Sequence, residues 1–214
     1  EKYYNPFSVT AASYFISDLS QLILDQPIVD EPGKSFRYLS GATQLLGIVI
    51  SRATQKKLSD YLSKSFWQPM GAEQDALWEL DSEKNGMEKA YCCFATNARD
   101  FARFGKLYKN NGRWNNTQIL DSTFIAKSIQ PRFKASPEYG YGWWLETYKG
   151  HQIFMERGHL GQYVIVFPEL NLITVRLGEL KGERTEGNPY TEDIYIYMDA
   201  ALEMAENVTK DKSS

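Results

Sequence analysis

Four apolar segments joined by short turns dominate the last third of the sequence. They cover residues 141–148, 152–156, 163–167 and 172–177. The first two are joined by Lys149-Gly150, a dipeptide typical of a tight hairpin, and the last two by a four-residue turn that begins at Pro168. Successive strands with connections this short run antiparallel. The sequence therefore predicts a four-stranded antiparallel meander.

Most of the remaining sequence has the spacing of apolar residues that is typical of helices. Helices are predicted over residues 17–26, 41–53, 58–67, 97–110, 122–130 and 192–206, and two short strands over residues 76–80 and 89–94. The helix at 97–110 has clear ends, because Asn97 can cap its first turn and an Asn-Asn-Gly sequence terminates it. The predicted fold class is α+β, with a mainly helical region at residues 1–135 and antiparallel strands with a closing helix at residues 136–214.

Composition argues against several classes of partner. The net charge of −3 gives no electrostatic reason to expect nucleic acid or an anionic membrane as a partner. No apolar run approaches the roughly 20 residues that cross a bilayer. The two histidines, His151 and His159, lack metal-ligand spacing, so neither a metal nor a cofactor is predicted. Cys92 and Cys93 are neighbours in an apolar run and are predicted to be buried free thiols.

A Gly-His-x-Gly motif precedes the third strand of the predicted meander. In Gly158-His159-Leu160-Gly161, two glycines close to a histidine leave backbone uncovered by side chains. An extended ligand could lie against this edge and form main-chain hydrogen bonds. The alternative is an ordinary hairpin, in which the glycines serve the turn and the histidine is half buried.

A second motif precedes the helix predicted at 41–53. Glu31-Pro32-Gly33 is typical of a turn, residues 36–39 are predicted to be extended, and Ser40 is placed to cap the helix. The helix itself is rich in apolar residues and is expected to be largely buried. Tyr38 is either a groove residue or a tyrosine anchored at the corner before the helix, and Ser40 can be a cap under both interpretations.

The motifs occur in an order that resembles serine β-lactamase-related hydrolases, the family of class C β-lactamases, penicillin-binding DD-peptidases and related esterases. The resemblance starts with the Pro-Gly turn, Tyr38-x-Ser40 and a helix with Leu-Leu-Gly, and continues through residues 97–105, residues 139–144 and His159-Leu160-Gly161. It implies a β-lactamase/transpeptidase-like fold. It also implies a serine hydrolase that acts by acyl transfer on a small-molecule or peptide substrate.

The resemblance further implies roles for five residues. Tyr38 would take the proton of the attacking serine, which requires nearby cations or a partner lysine, because tyrosine ordinarily ionises only near pH 10. Ser40 would be its hydrogen-bonding companion. His159 would face Tyr38 across a groove and donate to it or to a substrate carboxylate. Gly161 would leave room for the substrate backbone, and the N–H of Gln162 would form half of an oxyanion hole.

The sequence departs from the family pattern at three points. Ser-x-x-Lys, which carries the family's nucleophile, does not occur in these 214 residues. Ser40 stands where β-lactamases commonly have asparagine, and His159 where they have lysine. The two replacements favour an esterase or a peptidase-like member over a β-lactamase. We therefore expect the nucleophile to lie outside this chain, and the chain alone to be inactive.

Other functions stay open from the sequence. A non-catalytic member of the same fold would bind a peptide, glycan or ester in the groove, and a structural domain would use its aromatic residues as a partner surface. The resemblance implies export to the periplasm, whereas the residues themselves indicate no compartment. An uncovered edge at the first strand of the meander would favour self-association.

Overall fold

The six predicted helices and the meander form in the computed structural model, which describes residues 5, 7–84 and 86–211, with side chains through residue 208. The helices are α1 (Val9–Ala12), α2 (Leu19–Leu24), α3 (Ser40–Thr54), α4 (Leu58–Leu62), α5 (Ala98–Lys109), α6 (Ser122–Ser128) and α7 (Glu192–Asp211), and a π-helical turn, Ser63–Trp67, continues α4. The strands are β1 (Leu77–Trp78), β2 (Phe94–Ala95), β3 (Arg113–Trp114), β4 (Thr117–Gln118), β5 (Trp144–Tyr148), β6 (His151–Arg157), β7 (Tyr163–Phe167) and β8 (Leu172–Arg176). Among the described residues, no helix is both long and apolar enough to cross a membrane.

The chain divides into two compact units, residues 1–96 and 97–214. The first contains α1 to α4 and the antiparallel pair of β1 with β2. The second contains α5 to α7, the hairpin of β3 and β4, and the four-stranded sheet. The boundary predicted between residues 135 and 136 follows the change from helices to strands, and stays a prediction about domain organisation.

The first unit has a small apolar core between α2 and α3, where Ile23 and Ile48 are buried. Gln44 of α3 is buried beside this core, and its side-chain amide satisfies two backbone groups of the segment before β2. It donates to the carbonyl of Glu88 (3.0 Å) and accepts from the N–H of Ala90 (2.7 Å). α3 is therefore held by buried hydrogen bonds as well as by apolar packing.

Two features of the first unit differ from the sequence predictions. α3 is not largely buried, because Leu46 and Val49 are 58% and 53% exposed. Its apolar residues occur on several sides of the helix, and α2 and the segment before β2 cover only some of them. Cys92 and Cys93 are joined by a disulfide, so the prediction of free thiols was wrong. Cys93 has a left-handed backbone conformation (φ +67°), which turns the chain at this point.

The sheet of the second unit packs against helices on both faces. Its strands run antiparallel in the order β5-β6-β7-β8. Alternate residues point to opposite faces, so that Met155 and Ile165 pack with α7 while Phe154 and Val164 pack with α5 and α6. Burial on both faces explains why β7 is a continuous apolar run. β5 is an edge of this sheet, as predicted for the first strand, and self-association through it stays a prediction.

α5 lies close to the sheet at Gly105. A Cβ at this position would lie 3.1 Å from Val164 Cγ1, 3.1 Å from Val166 Cγ2 and 3.4 Å from Ile173 Cγ2. We therefore expect Gly105→Val to push α5 away from the sheet and to lower the free energy of unfolding by about 1–2 kcal/mol, measured by urea denaturation. Lys106→Val, on the exposed side of the same helix, controls for the helix propensity of valine. Equal losses from the two variants would contradict the close approach of helix and sheet.

Candidate active site

Tyr38 and Ser40 lie at the start of α3, in the first unit. The side chain of Tyr38 is half exposed (46%), whereas Ser40 is buried (7%). The helix begins at Ser40 itself, and Leu39 holds the N-cap position with extended backbone (φ −136°, ψ 116°). The prediction that Ser40 caps α3 was therefore wrong, because the residue lies one position inside the helix. At the entry to the helix, Tyr38 is therefore the more exposed of the two residues and Ser40 the more buried.

Two ion pairs lie in the turn that precedes Tyr38. Arg37 pairs with Asp30 at 2.7 Å, and Lys34 pairs with Glu31 at 3.4 Å. All four side chains are more than half exposed, so each pair contributes about 1 kcal/mol or less. The conformation of the turn therefore depends mainly on its Pro-Gly sequence. The pairs add cationic side chains to the same short segment as the tyrosine.

His159, Gly161 and Gln162 lie in the loop that joins β6 to β7, in the second unit. The N–H of Gly158 donates to the carbonyl of Gln162 and closes the loop (2.7 Å). The side chain of Gln162 accepts a hydrogen bond from the N–H of Leu160 (3.3 Å) and donates one to the carbonyl of Gly178. His159 is exposed, whereas Gly161 is buried. The loop thus presents the imidazole to solvent on a backbone that is tied to a neighbouring segment.

Gly161 has a left-handed backbone conformation (φ +86°) and no space for a side chain. A Cβ there would collide with the guanidinium of Arg176 and would lie 2.7 Å from the carbonyl oxygen of Leu180. Glycine is therefore required by both the conformation and the surroundings. Its role in leaving room for the substrate backbone stays a prediction.

Arg176 of β8 is a residue of this region that the sequence analysis missed. Its guanidinium donates to the carbonyl of Gly161 and, at 2.7 Å, to the carbonyl of Leu180. Its Nε donates to the hydroxyl of Tyr197 at 2.9 Å. The sequence did contain a signal, since this arginine interrupts the apolar run at 172–177. A charged residue in such a run needs partners for its donors.

A carboxyl group in apolar surroundings lies three residues before His159. Glu156 of β6 pairs with Val164 of β7 and lies on the same face of the sheet as Phe154. Burial in these apolar surroundings raises the pKa of Glu156 from 4.5 to about 7. Burial also raises the pKa of Tyr108 on α5, with a smaller contribution from the charge of Glu156. Glu156 therefore keeps its proton up to about neutral pH.

The predicted site residues form two groups, one in each unit. Tyr38 and Ser40 share the start of α3, and His159, Gly161 and Gln162 share the β6–β7 loop. Each group has one exposed side chain, Tyr38 in the first and His159 in the second. A phenol hydroxyl can exchange protons, an imidazole can donate a hydrogen bond, and a backbone N–H can bind an oxyanion. These are chemical functions that acyl transfer requires.

Comparison with known proteins identifies the family. The sequence matches the β-lactamase family over residues 2–194. No curated protein matches it significantly. Among solved structures, the chain is similar to a protein assigned as the 6-aminohexanoate-dimer hydrolase of Bacillus anthracis, with 25% identity and a TM-score of 0.73 over 89% of this chain and 49% of that protein.

Two further solved structures share the fold. One is the D-amino acid amidase of Ochrobactrum anthropi SV3, with 16% identity and a TM-score of 0.63 over 97% of this chain and 68% of the amidase. The other is EstCE1, a hydrolase with promiscuous acyltransferase activity, with 14% identity and a TM-score of 0.57 over 86% of this chain and 60% of EstCE1.

The chain spans about half the length of the Bacillus anthracis protein. The family match nevertheless covers nearly all of the chain, and it agrees with the observed helices, antiparallel sheet and carboxy-terminal helix. The chain therefore belongs to the β-lactamase family and has the β-lactamase/transpeptidase-like fold of that family.

Proposed function

We propose that the protein is a serine hydrolase that cleaves an ester or an amide by acyl transfer. The observation that carries the proposal is the occurrence of two motifs in a chain of the β-lactamase family. These motifs are Tyr38-x-Ser40 at the entry to a helix and His159-x-Gly161 in a loop between strands. Tyr38 and His159 are both exposed residues, and a phenol and an imidazole are suited to proton transfer and to substrate binding.

In the proposed reaction, a serine hydroxyl attacks the carbonyl carbon of the substrate while Tyr38, held as the phenolate by a lysine of the segment that carries the serine, takes its proton. Ser40 is the hydrogen-bonding companion of the tyrosine. The N–H of Gln162 and the N–H of the nucleophile stabilise the oxyanion. His159 donates to Tyr38 or to a carboxylate of the substrate. Collapse of the tetrahedral intermediate breaks the bond to the leaving amine or alcohol, which takes the proton back from Tyr38. Water then hydrolyses the acyl-enzyme.

The nucleophile is proposed to lie on a segment outside these residues. Ser-x-x-Lys does not occur in the 214-residue sequence, and the structurally similar Bacillus anthracis protein is about twice as long as the region that matches. This chain alone is therefore expected to be inactive, with its two motifs supplying the proton-transfer group and half of the oxyanion hole.

An amide or a simple ester is favoured over a β-lactam as substrate. Ser40 and His159 replace the asparagine and lysine that are common in β-lactamases. The similar structures include proteins named as a 6-aminohexanoate-dimer hydrolase and a D-amino acid amidase, and the second name specifies an amide. Exposed His159 is suited to donate a hydrogen bond to a carboxylate when the substrate carries one.

Fluorophosphonate labelling tests the proposal. The full-length protein and the 214-residue chain are each incubated with the reagent, and adducts are located by intact mass and peptide mapping. We expect one adduct on a serine of the full-length protein outside these residues, and none on the 214-residue chain. A full-length protein that remains unlabelled would favour a non-catalytic protein that binds its ligand in the same groove.

A further inference from the structure

We infer that Arg176 is a positioning residue, which holds the β6–β7 loop so that the N–H of Gln162 keeps the direction that oxyanion binding requires. The catalytic part of the inference, the orientation of an oxyanion donor, rests on the proposed function. The structural part, the anchoring of the loop by a single arginine, depends only on contacts within the second unit.

Arg176 connects three segments that are separate in the sequence. One arm of its guanidinium donates to the carbonyl of Gly161 in the loop, and the other donates to the carbonyl of Leu180 beyond β8. Its Nε donates to the hydroxyl of Tyr197 on α7. A planar guanidinium has several donors in a fixed fork, which suits three acceptors in different directions, whereas an ammonium group donates from a single atom.

The arginine is itself held from its other sides. Its guanidinium lies over the rings of Tyr163 (5.7 Å) and Tyr197 (5.5 Å), and its Nη1 is 3.9 Å from Asp193 Oδ2. Asp193 also accepts from the hydroxyl of Tyr163 at 2.9 Å. Although burial opposes ionisation, hydrogen bonds from Thr191 and Tyr163 hold the pKa of Asp193 below its usual value. The carboxylate therefore stays charged beside the arginine at neutral pH.

The anchored carbonyl belongs to the residue next to the proposed oxyanion donor. The carbonyl of Gly161 and the N–H of Gln162 are parts of the same planar peptide group. A hydrogen bond from Arg176 to that carbonyl therefore fixes the plane in which the N–H points. It also polarises the peptide, which strengthens the N–H as a donor. The side chain of Gln162 adds a second tie, to the carbonyl of Gly178.

Hydrogen exchange of the 214-residue chain tests the anchoring without any need for activity. We compare Arg176→Met, which keeps an apolar stem of similar length, with Arg176→Lys and with a matched control, Arg184→Met. Arg184 donates from its Nε to Asn188 in another loop of the same unit. Loss of a charge-assisted hydrogen bond predicts about tenfold faster exchange at residues 158–162 in Arg176→Met, a smaller change in Arg176→Lys and none in Arg184→Met. Unchanged exchange at residues 158–162 in folded Arg176→Met would overturn the inference.

Steady-state hydrolysis of p-nitrophenyl acetate by the full-length protein tests the catalytic part, with active sites counted by fluorophosphonate titration. A displaced oxyanion donor acts in the transition state, so we expect kcat per titrated site to fall about 10²-fold in Arg176→Met with KM nearly unchanged. Arg176→Lys is expected to restore part of the rate, and Arg184→Met to leave it unchanged.

The outcomes separate the two proposals. Fewer titratable sites with a normal kcat per site would show that Arg176 serves stability alone, and would overturn its positioning role. If Arg176→Met does not fold, Tyr197→Phe takes its place in both assays. Tyr197→Phe removes the hydrogen bond from Arg176 Nε, and smaller changes in the same direction are expected. A wild-type protein without labelling or turnover would overturn the proposed function and the catalytic part of the inference, while exchange would still decide the anchoring.

Discussion

Replacement of Tyr38 by phenylalanine in the full-length protein is expected to lower the rate of acylation by about 10²–10⁴-fold, the range over which a positioned proton-transfer group acts. The variant removes only the hydroxyl oxygen, and the side chain of Tyr38 is half exposed. The effect should therefore appear in catalysis and not in stability. It is measured as the rate of fluorophosphonate adduct formation or of ester turnover.

Tyr61→Phe is the matched control for this variant. Tyr61 lies in α4 of the same unit, with a side chain that is also partly exposed, and it belongs to neither motif. We expect its acylation rate to equal that of the wild type. An unchanged rate in Tyr38→Phe, with normal labelling of the wild type, would show that Tyr38 is a corner residue without a part in proton transfer.

Replacement of Glu156 by glutamine is expected to stabilise the protein at alkaline pH. The folded protein keeps the carboxyl proton up to about pH 7, whereas the unfolded chain loses it near pH 4.5. Between these values the unfolded chain binds fewer protons, so the free energy of unfolding falls as the pH rises. Stability from this group is fully present below pH 4.5 and is lost as the pH rises through 7.

The size of this effect follows from the shift of the pKa. A rise from 4.5 to about 7 corresponds to about 3 kcal/mol at 1.36 kcal/mol per pH unit. Glutamine cannot ionise, so Glu156→Gln should exceed the wild type by up to that amount at pH 8 and should equal it near pH 4.5. Urea denaturation at the two pH values measures the difference.

Glu203→Gln provides the control for Glu156→Gln, because it makes the same chemical change on the exposed side of α7. Its stability is expected to follow that of the wild type at both pH values. If Glu156→Gln behaved in the same way, the Glu156 carboxylate would have to be solvated in the folded protein.

Elements with strong local signals were predicted correctly from the sequence. α5 starts where the capping pattern placed it, with the side chain of Asn97 accepting from the N–H of Asp100 at 2.9 Å. Lys149 and Gly150 both have positive φ, as a tight hairpin between twisted strands requires. In both cases a few neighbouring residues determine the structure.

Short elements were predicted poorly because periodicity needs length. The hairpin of β3 and β4 has only two residues in each strand, turns at Asn115 and Asn116 with positive φ, and was not predicted. α1, a single turn that starts after Ser8, was also missed. Of the strand predicted at 89–94, only its last residue pairs with β1, as part of β2. Backbone groups earlier in this segment form hydrogen bonds with the side chains of Gln44 and Trp78 instead.

The residues of the candidate site were proposed from residue type and order. The contacts that hold the β6–β7 loop and the surroundings of Glu156 were not predicted. The acceptors of Arg176 are carbonyl groups of Gly161 and Leu180. Backbone acceptors leave no pattern of residue types, so no local motif reveals them. The raised pKa of Glu156 likewise depends on how strands and α5 enclose it, which is a tertiary property.

The two units have apolar cores of unequal size. The described core of the first unit is a cluster around Leu19, Ile23 and Ile48, whereas the second unit has a larger cluster on each face of its sheet. Segments with fewer buried contacts open locally at lower free energy. The turn that carries Tyr38 would then sample several conformations, while the loop that carries Gln162 remains in one. The peptide that joins Gly161 to Gln162 would therefore keep its orientation while segments of the first unit fluctuate.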